Sequence, residues 1–138
     1  MKIKILLLLA VSLLVTSCTV DYAYCIKVEV TNRVSTLPMT IELVDDQGKV
    51  VSTISDDHGA TLYYEMQPEV IPFQAFVANH IKYIRFNNEV QIDIIKTSLT
   101  NLDNYELLDS SKTYREYRCT LTNKDYQYAL ENGEKLNQ

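Results

Sequence analysis

Residue types that enzymes and nucleic-acid-binding proteins rely on are scarce in this chain. Its 138 residues include no tryptophan, two histidines, three cysteines and three glycines. Only His58 and His80 can serve as the usual general base, and no Gly-x-Ser-x-Gly turn provides a nucleophile. Basic residues form no run and the net charge is −5, which argues against a phosphate backbone as partner. The sequence therefore predicts no enzymatic activity, no catalytic residues, no cofactor and no nucleic-acid partner.

The segment Asp56-Asp57-His58 is the best candidate for a metal site. Two carboxylates and an imidazole are suitable ligands for a divalent ion. Adjacent side chains on a turn diverge, however, and the sequence supplies no second cluster for the remaining ligands. We therefore expect a solvated turn and no metal site.

The amino terminus has the pattern of an export signal. Two lysines precede an apolar run from Ile5 to Val15, which is too short to span a bilayer. The following residues, Val15-Thr16-Ser17-Cys18, resemble the lipobox of bacterial lipoproteins. We therefore expect a signal peptide over residues 1–17 and a lipidated linker over 18–24. Loss of the signal removes two lysines and no acid, so the net charge falls from −5 to −7.

The lipobox resemblance implies that Cys18 carries a thioether-linked diacylglycerol and an acylated amine. Two or three acyl chains anchor a protein stably, whereas one chain does not. The alternative is an ordinary cleaved signal that ends near a cysteine. The anchor predicts a membrane-attached protein of the cell envelope, in the outer membrane, facing either the periplasm or the cell surface. An acidic domain held there is expected to meet an envelope protein or a glycan.

Cys25 and Cys119 are the cysteines that remain after Cys18 is assigned to the lipid. Disulfides form in exported compartments, and this one would close a loop of 93 residues. Against the bond, strand alternation places Cys25 with Lys27 and Cys119 with Leu121, on different faces. The alternative is two reduced cysteines that act as small hydrophobic residues.

Residues 25–138 read as a single domain of short strands. Apolar and polar residues alternate with period two, and turn residues such as Asp46-Gln47-Gly48 and Asn87-Asn88 lie between the runs. We expect an irregular crossing near Phe73 and Phe76 and a polar, turn-rich segment over 97–112. The pattern predicts an all-β fold, an immunoglobulin-like antiparallel β-sandwich of about seven strands with a short C-terminal helix. A small β-barrel is the alternative.

The end of the chain carries the clearest local signals. The run TYREYRCTLT predicts a last strand whose inward residues are Tyr117, Cys119 and Leu121. Thr122 and Asp125 have the spacing of a capping box, which predicts a helix start. The helix is expected to end near Gly133, in the left-handed conformation that glycine adopts at many helix ends.

Three segments in the second half resemble a loose group of Bacteroidales lipoproteins. The segments read IKYIRFNN, TNLDNYELL and YREYRCTLTNKDYQYALENG and span about residues 81 to 133, and the resemblance also includes the lipobox. In that group an aliphatic-aromatic strand, an Asn-Tyr segment and a tyrosine-rich strand lead into a Thr-x-x-Asp-Tyr helix cap. The resemblance implies a cell-envelope β-sandwich and assigns no activity to it.

Tyrosine is abundant, with ten residues in the chain, and it offers the candidate ligand contacts. Aromatic faces stack on the apolar faces of sugars, and strands also use tyrosine without any ligand. The candidates that we expect to face outward are Tyr22, Tyr24, Tyr63, Tyr114 and Tyr128. We therefore expect a lipid-anchored envelope module for binding or assembly, with surface glycan binding as the alternative.

A further alternative comes from the stretch SDDHGATLY, residues 55–63. It resembles the Ser-Gly-x-x-Tyr loop of small periplasmic lysozyme inhibitors, with Gly59 and Tyr63 at the matching spacing. Serine does not directly precede the glycine, and the sequence shows no second loop with tyrosine and lysine of the kind that family uses. The resemblance implies a lysozyme-inhibitor-like periplasmic lipoprotein.

Overall fold

The computed structural model describes residues 24–35, 38–66 and 71–136, which form nine strands in two sheets. Sheet A has the order β4 (Ala60–Met66), β1 (Tyr24–Arg33), β8 (Tyr114–Thr122) and β7 (Tyr105–Ser110). Sheet B has the order β3 (Val50–Ile54), β2 (Ile41–Asp45), β5 (Ile81–Phe86), β6 (Val90–Asp93) and β9 (Glu134–Lys135). The helices are α1 (Gln74–Ala78), α2 (Asn123–Asn132) and three short 3₁₀ helices, Ile94–Lys96, Ser98–Thr100 and Leu102–Asn104.

The chain passes repeatedly from one sheet to the other. The hairpins β2–β3 and β5–β6 belong to sheet B, the hairpin β7–β8 belongs to sheet A, and the connections between them cross the space between the sheets. Strands β1 and β8 run parallel, and the other pairs are antiparallel. The predicted β-rich, sandwich-like domain with a C-terminal helix is confirmed. Sheet A is mixed, however, so the prediction of an antiparallel sandwich holds for the described strand pairs except β1–β8.

The core lies between the inner faces of the two sheets. In β1 the residues Ile26, Val28 and Val30 are buried and alternate with half-buried polar residues, as the period-two pattern predicts. Residues Tyr117 and Leu121 of β8 belong to the same buried cluster. Full burial of such side chains contributes ~1.5–3 kcal/mol each, which is why the alternation fixes which face of each strand points inward.

Two tight turns set the register of the sheet B hairpins. Gly48 has φ of 83°, and Asn87 and Asn88 have φ of 52° and 54°. Glycine and asparagine tolerate this left-handed region better than other residues do. Both predicted hairpin turns are confirmed, and the second aligns Phe86 with Val90 and places both in the core.

Two segments that we predicted to be irregular contain regular structure. Phe73 and Phe76 are buried as expected, with ring centroids 6.1 Å apart. Phe73 is the N-cap of helix α1 and Phe76 lies within that helix, so the segment is not irregular. The polar stretch 97–112 contains strand β7, which completes the edge of sheet A. The apolar periodicity of these two sequences is weak. We therefore attribute helix α1 and strand β7 to packing against the neighbouring strands.

Helix α2 begins at the predicted capping box and ends at Gly133 by a different mechanism from the one expected. The Thr122 amide donates to Oδ2 of Asp125 at 2.8 Å. Gly133 has φ of −91°, so the prediction of a left-handed C-cap was wrong. A Cβ atom on Gly133 would lie 2.6 Å from the carbonyl oxygens of both Ala129 and Gln91. Glycine is required here because the chain passes closely between α2 and β6.

Candidate functional site

A pocket of about 370 Å³ opens at one end of the sandwich, between the inner faces of the two sheets. Its walls are helix α2 on one side and the first two 3₁₀ helices on the other. The lining residues are Ile84, Phe86, Ile92, Lys96, Thr97, Ser98, Leu121, Lys124, Asp125 and Tyr128. The volume falls in the range of about 300–1,000 Å³ that is typical of small-molecule sites.

The floor of the pocket is hydrocarbon from both sheets. Ile84 and Ile92 are directly opposite each other in the β5–β6 pair, and Phe86 lies two residues further along β5. Leu121 reaches the same space from β8 in the other sheet. Each of the four side chains is at least 97% buried, so they back the pocket and expose almost no surface to a ligand.

The helical wall is held by contacts on two sides of α2. Asp125 accepts hydrogen bonds from the Thr122 amide at 2.8 Å and from Ser98 Oγ at 2.6 Å, which ties the helix to the opposite wall. On the other side, the Tyr126 ring packs against Phe86 with centroids 5.6 Å apart. These contacts leave Tyr128, which is 45% exposed, at the rim.

The opposite wall belongs to a chain of three capped 3₁₀ turns. A side-chain oxygen of each cap accepts from the amide two residues ahead, at 3.1 Å for Asp93, 3.3 Å for Thr97 and 3.0 Å for Asn101. Leu99, between the last two caps, is buried and anchors the segment to the core. The regular spacing of the caps, one every four residues, is the signal by which the sequence could have revealed this wall. Our prediction of a polar, turn-rich segment over 97–112 missed it.

Two lysines give the rim a positive charge. Lys96 projects from the first 3₁₀ helix and Lys124 from the start of α2, and both are exposed. Within the described residues neither forms an ion pair, whereas Lys82 pairs with Asp93 at 2.6 Å. Asp125 also lines the pocket, with its oxygens occupied by Ser98 and by the cap.

A second depression, of about 310 Å³, adjoins the first at Ser98 and Asp125, and most of its lining residues are polar. It shares Ser98, Lys124 and Asp125 with the first pocket, and Arg118 and Thr120 of β8 line its far side. Lys124 therefore faces both an apolar and a polar space.

The candidate tyrosines are divided among different surfaces. Tyr128 lies at the pocket, whereas Tyr63, which is 60% exposed, and Tyr114 lie on the outer face of sheet A. Burial raises the pKa of Tyr114, and the nearby Glu116 carboxylate raises it further. Tyr22 and the side chain of Tyr24 lie outside the described residues, as do the signal peptide and Cys18.

The outer face of sheet A is crossed by ion pairs between its strands. Lys27 contacts Glu116 at 2.9 Å, and Arg118 contacts Glu29 at 3.1 Å. The register places Tyr63 beside Lys27 on the neighbouring strand. Tyr63 and Tyr114 therefore flank a charged strip and do not form an adjacent aromatic pair.

The expected disulfide between Cys25 and Cys119 does not form. In the parallel β1–β8 pair, Cys25 lies opposite Tyr114, and Cys119 lies opposite Val30. The offset of five residues separates the cysteines by roughly 16 Å along the strands, far beyond the ~4.4–6.8 Å between Cα atoms that a disulfide spans. Both are free thiols, and burial raises the pKa of the Cys119 thiol.

The histidines and the acidic turn lie apart from the pocket. His58 Nδ1 is 2.8 Å from the carbonyl oxygen of Asp57, and Asp56 accepts a hydrogen bond from Asn32 at 3.1 Å. His80 is exposed at the entrance to β5. No group of three or more His, Cys, Asp or Glu residues in the described part of the chain is arranged to hold a metal ion.

Comparison with known proteins gives no family to assign. No protein-family model, no curated protein and no solved structure matches this chain. None of the helices in ranges 24–35, 38–66 and 71–136 has the length and apolar character needed to cross a bilayer.

Proposed function

We propose that the protein is a non-catalytic binding module of the cell envelope, anchored to the membrane through lipidated Cys18. The pocket between the sheets is the observation that carries this proposal. Its volume of about 370 Å³ lies in the range of small-molecule sites, and its charged rim can orient a ligand. Ser98 and Asp125 bond to each other there without a histidine among the lining residues, which favours binding over nucleophilic catalysis.

The anchor would keep the pocket close to the membrane. Six residues separate Cys18 from Cys25. Fully extended, they reach only ~20 Å. Metabolic labelling with an alkyne fatty acid tests the anchor. We expect labelled, membrane-bound wild type and an unlabelled, soluble Cys18→Ala variant, and a variant that stays labelled and bound refutes this part of the proposal.

The immunoglobulin-like character of the sandwich and the kinship with Bacteroidales lipoproteins belong to the same proposal. Connections that cross between two sheets are also found in Greek-key sandwiches, and they support the immunoglobulin-like character. The parallel β1–β8 pair is the departure from the all-antiparallel pattern. The Thr122–Asp125 capping box is one of the motifs of the resemblance, and it supports the kinship with Bacteroidales lipoproteins.

Photolabelling tests whether the pocket binds ligands. Membranes from cells that express the full chain would be irradiated with a neutral ten-carbon alcohol that carries a diazirine and an alkyne. Peptide mass spectrometry would then map the labelled residues. We expect labels on peptides that contain Leu121 or Tyr128, which line the pocket on two elements. Labels only near Cys18, or scattered over the surface, would remove the basis for a ligand-binding function.

Glycan binding on the outer face of sheet A is the second candidate. Tyr63 is largely exposed there, and Tyr114 lies on the same face roughly 12 Å away, two strands across and two residues along. Such a pair could stack on separate sugar rings of one chain. The test is retention on immobilised peptidoglycan and capsular polysaccharide. Loss of retention in Tyr63→Ala, with retention kept in Tyr128→Ala, is the expected result. Equal retention by wild type and Tyr63→Ala rules this face out.

A further inference from the structure

The end of the sandwich at which β1 begins carries exposed apolar side chains that the proposed function does not use. We propose that this end, called the linker end below, contacts the surface of the membrane that holds the Cys18 lipid, with its apolar side chains among the lipid head groups. The proposal rests on the lipid anchor of the proposed function. Strand topology, side-chain exposure and the length of the linker each support one part of it.

Two short connections fix which strand ends lie together. Seven residues join β1 to β2, and Asn32 near the end of β1 donates to the Met39 carbonyl at 3.1 Å. Five residues join the end of β3 to the start of β4. Because β1 is antiparallel to β4, and β2 is antiparallel to β3, both connections lie at the far end of the sandwich. The linker end therefore holds the start of β1, the end of β4, the end of β2 and the start of β3.

Helix α1 and the first 3₁₀ helix belong to the same end. Strand β5 is antiparallel to β2 and begins where β2 ends, with Ile81 opposite Asp45. Strand β6 is antiparallel to β5, so it ends here, and the 3₁₀ helix Ile94–Lys96 follows it directly. Helix α1 precedes β5 and packs against β4, β5 and β1, with Phe76 in the core. The helix thus closes the linker end between the two sheets.

The linker end carries more exposed apolar side chains than the rest of the described surface. Of the nine large apolar side chains that are exposed in the described ranges, five lie at this end: Val50, Val51, Ile71, Val77 and Ile95. The other four are divided among β4, the third 3₁₀ helix, β7 and α2, and are Tyr63, Leu102, Leu107 and Tyr128. Single exposed apolar residues are common, but their concentration in one region marks an interaction surface.

The linker indicates what covers this surface. Tyr24, the first residue of β1, follows Cys18 by six positions, which span ~20 Å at most. Strand β8 has nine residues and is ~30 Å long. The linker is therefore shorter than the sheet and holds the linker end nearest to the membrane. Apolar side chains held there leave water when they enter the head-group region, as they do in other interfacial proteins.

Charges of both signs lie close to the strand ends at the linker end. The cations are Lys49, Lys82, Lys96, Lys112 and Arg115, and the acids are Asp45, Asp46, Glu65, Asp93 and Asp109. Neither sign dominates, so attraction to anionic lipid cannot be the main force on this end. We therefore expect the contact to depend on the apolar side chains and to form on a zwitterionic membrane.

Lipid photolabelling of the full chain tests the proposal. The protein would be purified in detergent from expressing cells and reconstituted into phosphatidylcholine vesicles. The vesicles contain a phosphatidylcholine that carries an alkyne and, near the head group, a diazirine on its acyl chain. Trypsin separates Ile95, in residues 86–96, from Leu102 and Leu107, in residues 97–112. Ile95 is 60% exposed, Leu102 51% and Leu107 53%, so the two leucines are matched controls.

We expect labels on Val77 and Ile95 and none on Leu102 or Leu107. The test variant is Val77→Asp/Ile95→Asp, and the control is Leu102→Asp/Leu107→Asp, which adds the same charge. Two half-inserted side chains are equivalent to one fully buried side chain, so labelling of the linker end should fall roughly tenfold in the test variant. The control variant should be labelled like wild type. The wild-type label map needs no variant, so the test holds even if a variant fails to fold.

The outcomes separate this proposal from the anchor on which it rests. If Cys18 carries the lipid but Leu102 and Leu107 are labelled as strongly as Val77 and Ile95, the linker end is not the contact surface and the anchor stands. The same conclusion follows if no residue of the domain is labelled. If labelling appears only when phosphatidylglycerol is added, the contact is electrostatic and the role of the apolar side chains is refuted. If Cys18 carries no lipid and the vesicles do not retain the chain, the anchor fails and the proposal fails with it.

Discussion

Two of the three glycines of this chain, Gly133 and Gly48, allow a direct test of what holds the C-terminal helix in place. At Gly133 the backbone is in an ordinary region, but a Cβ would meet two carbonyl oxygens at 2.6 Å and a Val90 methyl at 2.9 Å. At Gly48 the surroundings are open within 4 Å, but φ is +83°. Gly133 is required because a side chain would clash there, and Gly48 is required because its φ is positive. Asparagine should therefore be no milder than alanine at Gly133 but milder than alanine at Gly48.

The expected magnitudes follow from these two mechanisms. At Gly133, alanine forces α2 and β6 apart because the obstructing atoms are main-chain, and overpacking of this kind costs about 1–3 kcal/mol of unfolding free energy. Asparagine is larger and should cost at least as much. At Gly48, alanine should cost ~1–2 kcal/mol for its left-handed conformation, and asparagine, which tolerates that region, should cost less.

Urea unfolding of the mature chain with Cys18→Ala, followed by far-UV circular dichroism, measures these differences. The chain has no tryptophan, so the backbone signal is the better probe. We expect Gly133→Asn to be at least as destabilising as Gly133→Ala, and Gly48→Asn to be less destabilising than Gly48→Ala. If asparagine is the milder replacement at Gly133, then conformation and not crowding decides that position, and the close approach of α2 to β6 is refuted.

Three further predictions concern titration, thiols and a buried hydroxyl. Burial raises the pKa of Asp93, but the Lys82 ammonium and a main-chain amide outweigh it and hold that pKa below its usual range. The ionised carboxylate therefore stabilises the fold above its unfolded pKa of about 3.9 and loses this effect as the pH falls, so urea midpoints of wild type and Asp93→Asn should differ at pH 7 and converge below about pH 3. Iodoacetamide should modify half-buried Cys25 in the native protein and Cys119 only after unfolding in urea without reductant, and a mass showing a disulfide would contradict the register of β1 and β8. Tyr105→Phe should lower the unfolding free energy by ~1 kcal/mol, because its hydroxyl donates to a main-chain carbonyl 2.7 Å away, and an unchanged urea midpoint would contradict this bond.

The fold could be predicted from the sequence wherever one local signal decides the structure. Period-two alternation placed Ile26 and Val28 in the core, and the paired asparagines before Glu89 placed a hairpin turn. Such signals act within a few residues and do not depend on the rest of the molecule. Gly133 shows their limit, because its role depends on Gln91, a residue of another strand that only the folded chain brings close.

Cys25 illustrates why pairing between strands is harder to predict than the strands themselves. Its thiol lies at the start of β1, and the distance to Cys119 depends on whether β1 runs parallel or antiparallel to β8 and on their register. Neither property is encoded locally. The difference in strand face between the two cysteines already argued against the bond, and the parallel register provides the decisive reason.

The pocket could not be predicted because each of its parts, taken alone, indicates only an ordinary element of the fold. Thr122 and Asp125 read as a helix cap, and the residues from Thr97 to Asn101 read as part of a polar, turn-rich segment. In the structure the cap and the loop meet through the Ser98–Asp125 hydrogen bond of 2.6 Å, and both residues line both depressions. The carboxylate that starts the helix is also part of the pocket wall. For this reason a Ser98→Ala substitution should leave the helix cap in place and alter the pocket, which makes it the cleanest change for studying the site apart from the fold.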